Sequence, residues 1–172
     1  MRAYAGAAGA RIGTEFNESL AGQLSTLGYA ATPSVKPWAC LNQKNTDETR
    51  RLGDIDVLVV ADRKRVWVCE AKDLKMCRTL GEVASRLSEY RGQIMKNGKP
   101  DKLLRHLKRV EYLRTNASQL AKRLALDSEP TGHGILIVNS PQPMQQLAGE
   151  YSKDSTVVML DRIDAVPWTT GW

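Results

Sequence analysis

The 172-residue sequence predicts one mixed α/β domain with a central sheet flanked by helices. Three observations carry that expectation. Residues 10–27 repeat apolar side chains at three- and four-residue intervals, the period of a helix. Residues 55–61 and 66–71 are valine-rich runs joined by the charged "DRKR", the pattern of a hairpin. Two more short apolar runs, residues 134–139 and 155–160, follow a long stretch of helical character.

The first helix is predicted from Ile12, Phe16, Leu20, Leu24 and Leu27, which share one stripe, with Gly28 as its C-terminal stop. Residues 34–40 suggest a short extended piece that Pro33 and Pro37 restrict to a sheet edge. Residues 42–51 are polar and are expected to form a loop. After the hairpin, residues 80–95 and 102–126 are predicted as helices, broken at "KNGKP". "GILIVN" is bounded by Gly and Pro as a buried strand would be, and "STVVML" is a further strand. The helices after the hairpin permit a crossover that lays the later strand parallel to the second hairpin strand.

Composition narrows the function classes. With 42% hydrophobic and 26% charged residues, the chain is neither disordered nor a membrane protein. The N-terminus lacks a signal-peptide core, so a cytoplasmic location is expected. Cys40, Cys69 and Cys77 form no CxxC pair and only His106 and His133 accompany them, which argues against a zinc site or a disulfide framework. Neither histidine has a partner pattern for nucleophilic catalysis. The net charge of +6 suits a polyanionic partner. Its densest part lies between residues 102 and 123, where Lys102, Arg105, Lys108 and Arg109 are candidates for phosphate contacts, against the plainer reading of a solvated helix face.

The stretch "GDIDVLVVADRKRVWVCEAKD", residues 53–73, raises the functional question. Alternation puts Glu70 and Lys72 on one face of their strand, and pairing across "DRKR" brings Asp56 beside them. Two carboxylates that close repel unless a cation lies between them. Carboxylate oxygens suit magnesium, with manganese as a substitute, and a neighbouring lysine can orient or deprotonate a water. With a basic surface nearby, that set describes phosphodiester hydrolysis. The plainer alternative is a surface hairpin with a Glu70–Lys72 ion pair.

"GDID" before an apolar strand and "VCEAK" closing the next resemble the PD-(D/E)xK nuclease superfamily, of restriction-endonuclease-like fold, and its Mrr-like and Holliday-junction-resolvase-like groups in particular. The resemblance is strongest over residues 9–73 and looser to about residue 140. It implies an αβββαβ core in a single domain, residues 1–172, standing alone or as a piece of a longer protein. It also implies that Asp56 and Glu70 hold the metal, that Ala71 lends its backbone carbonyl, and that Lys72 serves the water. Asp54 ranks below Asp56, and Ile55 stands where the motif proline would be. Many relatives carry an acid on the first helix; Glu15, flanking Ile12 at the edge of the apolar stripe, is favoured over Glu18, which points away. A glutamine on the following helix would be Gln93, in "SEYRGQ", with Tyr90 and Arg91 close by.

The expected protein is therefore a magnesium-dependent endonuclease, favouring DNA, with a role in restriction or phage defence implied by the resemblance. Replacing Glu70 or Lys72 with Ala is expected to abolish cleavage at little cost to folding. A non-cleaving nucleic-acid-binding module of the same fold, and an RNA-directed or toxin-type nuclease, are the alternatives. Cutting a duplex with one site per chain calls for a homodimer or added subunits. Trp168 and Trp172 are candidates for an interface or for the core.

Overall fold

A computed structural model describes residues 2–147 and 155–170. Five strands form one sheet in the order β1-β2-β3-β4-β5: β1 Ala30–Val35, β2 Ile55–Asp62, β3 Arg65–Lys72, β4 Thr131–Val138 and β5 Ser155–Met159. The first three strands form an antiparallel meander; β4 runs parallel to β3 and β5 parallel to β4. Helix α1 (Arg2–Thr26) precedes the meander, and α2 (Asp47–Leu52) sits between β1 and β2. The crossover from β3 to β4 holds α3 (Leu80–Ser88), α4 (Lys102–Thr115) and α5 (Ala117–Leu124). Among the described residues no helix is long and apolar enough to cross a membrane.

Each face of the sheet is covered by a different helix set. On one, Leu20, Ala21 and Leu24 of α1 pack on Val57, Val59, Trp67, Cys69, Ile135 and Ile137. On the other, Val110, Leu113 and Leu120 of α4 and α5 pack on Leu58, Val66 and Val68. The alternation of strand side chains produces this division, since Val57 and Cys69 face α1 while Leu58 and Val68, one residue along, face α4.

The hairpin forms as its sequence predicts. Its turn is Arg63-Lys64, where the Asp62 carboxylate accepts the Lys64 N–H at 2.7 Å and pairs with Arg65 at 2.7 Å. Trp168 belongs to the core: its indole N–H donates to the Ile163 carbonyl at 2.8 Å, and its own carbonyl accepts the Trp67 indole N–H at 2.9 Å. Trp172 lies outside the described residues. Cys69 is fully buried, and burial pushes its thiol well above the usual range.

Several expected elements differ, each for a local reason. The edge strand lies at Ala30–Val35 rather than 34–40, because the chain after Pro37 tightens into a 3-10 turn at Ala39–Leu41. The expected loop 42–51 contains α2, begun by a reciprocal cap in which Thr46 accepts the Thr49 N–H and Thr49 accepts the Thr46 N–H. The expected helix 80–95 stops at Ser88, because Gly92 takes φ 74° and the Asp101 carboxylate collects the N–H groups of Arg91 and Gln93 at 2.9 and 3.0 Å. The expected helix 102–126 is two helices, divided at Asn116, whose side chain donates to the Tyr112 carbonyl at 2.8 Å.

The stripe on α1 is also displaced. Leu20 and Leu24 are buried, but Ile12 is 48% exposed and Leu27 43%. Among the described side chains of α1, Phe16, Leu20, Ala21 and Leu24 pack against the sheet.

Candidate functional site

The β2–β3 register builds the site. Val57 pairs with Cys69, so one residue toward the open end Asp56 stands opposite Glu70, on the α4 face. Lys72, two residues further along β3, shares that face. Its ammonium donates to Asp56 Oδ2 at 2.8 Å and reaches Glu70 Oε1 at 2.9 Å. Asp56 Oδ2 also accepts the Ala71 N–H at 2.9 Å. One lysine thus bridges both acids, and a backbone amide fixes the aspartate.

Burial by itself would lower the Lys72 pKa, but the charges and hydrogen bonds of Glu70 and Asp56 outweigh it and hold it above 10.5. Lys72 is therefore an ammonium at neutral pH. As it stands here it is a fixed positive charge and donor, not a base.

The second partner of Glu70 is Arg109 of α4. Its Nη2 donates to Glu70 Oε2, and its Nη1 donates to the Leu52 carbonyl, at the end of α2, at 3.1 Å. Arg109 is only 3% exposed. A basic residue expected to meet phosphates at the surface is thus an internal ion-pair partner. Sequence offers a signal for this: Arg109 falls three residues after His106 and one before Val110, beside the stripe of Leu103, Val110 and Leu113 that docks α4. An arginine on the buried side of a helix needs a buried acid.

The other basic candidates remain at the rim. Arg105 and Lys108 are exposed, while Lys102 pairs with Glu89 at 2.6 Å and lies over the Tyr90 ring. Lys102, Arg105, Arg109, Gly53 and Asp54 join the Asp56–Glu70–Lys72 cluster around a cavity of about 440 Å³. A larger groove of about 1190 Å³ begins beyond Arg105, which lines both, and carries Lys44, Arg51, Lys99 and Lys108. Asp54 is held at this rim by Lys36, at 2.6 Å.

Two expected residues do not join the cluster. Glu15 is on α1, the helix packed over the opposite face of the sheet; its side chain is 62% exposed and its partner is Arg11 at 3.4 Å. Ile12, whose burial would turn Glu15 toward the sheet, is itself exposed. Gln93 lies in the loop after α3, exposed, with its backbone bonded to Asp101. Its expected helix had already ended, so its side chain is not carried to the cavity.

Further polar groups are buried around this site. Both ring nitrogens of His106, the Tyr90 hydroxyl and Arg109 Nε have no hydrogen-bond partner among the described residues. Burial first, then the Arg109 charge, lowers the His106 pKa to about 3, so its imidazole is neutral. Asp101, 1% exposed, caps α4 by accepting the Leu104 N–H at 2.8 Å and ties the loop before α4 to that helix.

Among the described residues no group of three or more His, Cys, Asp or Glu side chains gathers as a metal site would. What the cluster offers is two carboxylates on neighbouring strands, compensated by one lysine and one arginine.

No curated protein and no solved structure matches the chain. Residues 3–161, nearly the whole length, match the family model described as "Anti-phage protein Upx-like". The chain belongs to that Upx-like family of anti-phage proteins.

Proposed function

We propose that this chain acts in phage defence as a metal-dependent nuclease of the PD-(D/E)xK type, hydrolysing phosphodiester bonds with DNA as the favoured substrate. The observation that carries this reading is Lys72 bridging Asp56 and Glu70 at 2.8 and 2.9 Å in a cavity ringed by basic residues. The element order supports it: a helix, a three-strand meander, helices, then a parallel strand, with both acids and the lysine on the central strands β2 and β3.

The donors suit magnesium. Asp56, Glu70 and the Ala71 carbonyl supply hard oxygens, and a magnesium ion takes few protein ligands, keeping waters and substrate phosphate oxygens for the rest. When bound, it supplies Lewis acidity at the phosphoryl group and a more acidic water. The chain's own residues do the rest. Asp56 is fixed by the Ala71 amide, so its carboxylate is preorganised. Lys72, charged, donates toward the attacking water or the charge that develops on the phosphate. Arg105 and Lys108, exposed on α4, hold the flanking backbone.

The test is digestion of plasmid, single-stranded DNA and RNA with added magnesium or manganese, with Lys72→Ala as control. Metal-dependent cutting that drops by about a hundred- to a thousandfold in Lys72→Ala is expected, the scale on which removing one transition-state donor acts. Cutting by Lys72→Ala at the wild-type rate would overturn the assignment, and cutting confined to RNA would move the substrate to the RNA-directed alternative.

A second reading has one observation in its favour. Both carboxylates are already neutralised by Lys72 and Arg109, as they would be in a module that binds nucleic acid without cutting it. Binding with no cleavage under any metal would select that reading.

A further inference from the structure

We propose that Arg109 makes cation binding at Asp56 and Glu70 depend on nucleic acid: the guanidinium competes with the cation for Glu70, and a bound polyanion relieves the competition. The inference rests on the metal-dependent reading above and concerns the order in which its ligands arrive.

The charges around the cavity carry it. Four cations, Lys72, Lys102, Arg105 and Arg109, line it against three acids, Asp54, Asp56 and Glu70. Asp54 is matched by Lys36 and Lys102 by Glu89, at 2.6 Å each. What remains is Asp56 and Glu70 against Lys72, Arg109 and Arg105, a net positive pocket before any metal enters. An anion, rather than a cation, is the ligand that this balance favours.

Arg109 cannot simply withdraw. It is buried, and its second arm is held by the Leu52 carbonyl at 3.1 Å. The chain leaves α2 through Gly53 at φ 71°, and a Cβ there would stand 3.6 Å from Arg109 Nη1. The pair is thus built into the junction of α2, β2 and α4. A divalent cation that took both carboxylates from Lys72 and Arg109 would leave the buried Arg109 and the half-buried Lys72 uncompensated, a costly state. Phosphodiester groups bring the missing negative charge. By linkage, whatever factor the nucleic acid adds to cation affinity, the cation adds to nucleic-acid affinity.

The test measures binding, not cleavage. Anisotropy of a fluorescent single-stranded phosphorothioate DNA is titrated with the full chain, with and without Mn²⁺, and Mn²⁺ binding to the free protein is followed by its paramagnetic resonance signal. In the wild type, Mn²⁺ should tighten DNA binding by about tenfold or more, within the usual range for linked sites. Arg109→Gln should tighten Mn²⁺ binding to the free protein and cut the coupling to below about threefold, while Arg109→Lys, which keeps the charge, retains it. Wild-type DNA binding that is the same with and without Mn²⁺ would overturn the proposal, and that outcome needs no variant to fold. So would an unchanged coupling in a folded Arg109→Gln protein. Cleavage with no such coupling would defeat this inference and leave the nuclease reading intact; coupling with no cleavage under any metal would do the reverse.

Discussion

The two faces of the sheet solve opposite problems with the same strands. Toward α1, β2 and β3 present Val57, Val59, Trp67 and Cys69, all fully buried and all apolar or nearly so. Toward α4 the same strands present Leu58, Val66 and Val68 at one end, and Asp56, Glu70 and Lys72 at the other. The α1 face is stabilised by apolar area removed from water, at about 1.5–3 kcal/mol for each large side chain. The far end of the α4 face holds charges that are tolerable only because each is matched within hydrogen-bond reach. A two-residue period therefore lets one hairpin serve as core and candidate site at once, and the α4 face carries the greater risk when one member is lost.

That contrast can be broken first at Glu70. Glu70→Ala strands Arg109 in the interior and should lower unfolding stability by about 3–5 kcal/mol, far more than the little cost to folding expected from sequence. Replacing both partners, Glu70→Ala with Arg109→Met, should recover much of that loss, because no buried charge is left unpaired. Urea unfolding of the two variants measures the difference, and equal losses would refute the unpaired-charge account. The expectation that Glu70 can be removed at little cost to folding is therefore replaced.

On the α1 face, Leu24→Ala should cost about 2–5 kcal/mol through lost burial and a cavity. No partner substitution of charge can rescue it, and nucleic-acid binding per folded molecule should be unchanged. A loss of binding that exceeds the loss of folded protein would show that the faces are coupled.

A smaller effect sharpens the α4 side by pH. His106 is neutral in the fold with a pKa near 3, against an ordinary value of 6.5. Below 6.5 the unfolded chain takes up a proton that the native state refuses, so stability should fall as pH falls, until about 3. The slope for this one group is at most about 1.4 kcal/mol per pH unit. Subtracting the stability profile of His106→Leu from that of the wild type isolates it, and a flat difference between pH 6 and 4 would refute it. The smallest expected effect is at Glu15, where an exposed i,i+4 pair with Arg11 is all that is lost: Glu15→Ala should change stability by less than about 0.5 kcal/mol. Cleavage, where measured, should be unchanged, since on this geometry Glu15 takes no part in the cluster.

How much of this was legible before folding varied with the range of the interaction. The hairpin was legible because valine alternation and a charged turn are local, but the register that sets Asp56 opposite Glu70 is shifted by one residue at a bulge between Val60 and Asp62, which the turn alone does not give. Helix ends were less so. Residues 89–95 continue a helical pattern in the sequence, but the helix end is enforced by Asp101, a residue from beyond it in the chain. Helix α2 carries its Thr46-to-Thr49 cap in the sequence, yet its six residues bury too little to show an apolar period.

By itself the sequence determined the mixed α/β class, the hairpin, and that Glu70 and Lys72 share a strand face, because strand alternation and turn chemistry act between near neighbours. Only the tertiary structure decided what those charges meet. Arg109 arrives 39 residues after Glu70 and turns from a surface base into its buried partner, while Glu15, placed by α1 on the other face, drops out. Both outcomes follow from which side of the sheet each helix covers. That choice rests on the summed packing of whole faces, which no short motif encodes.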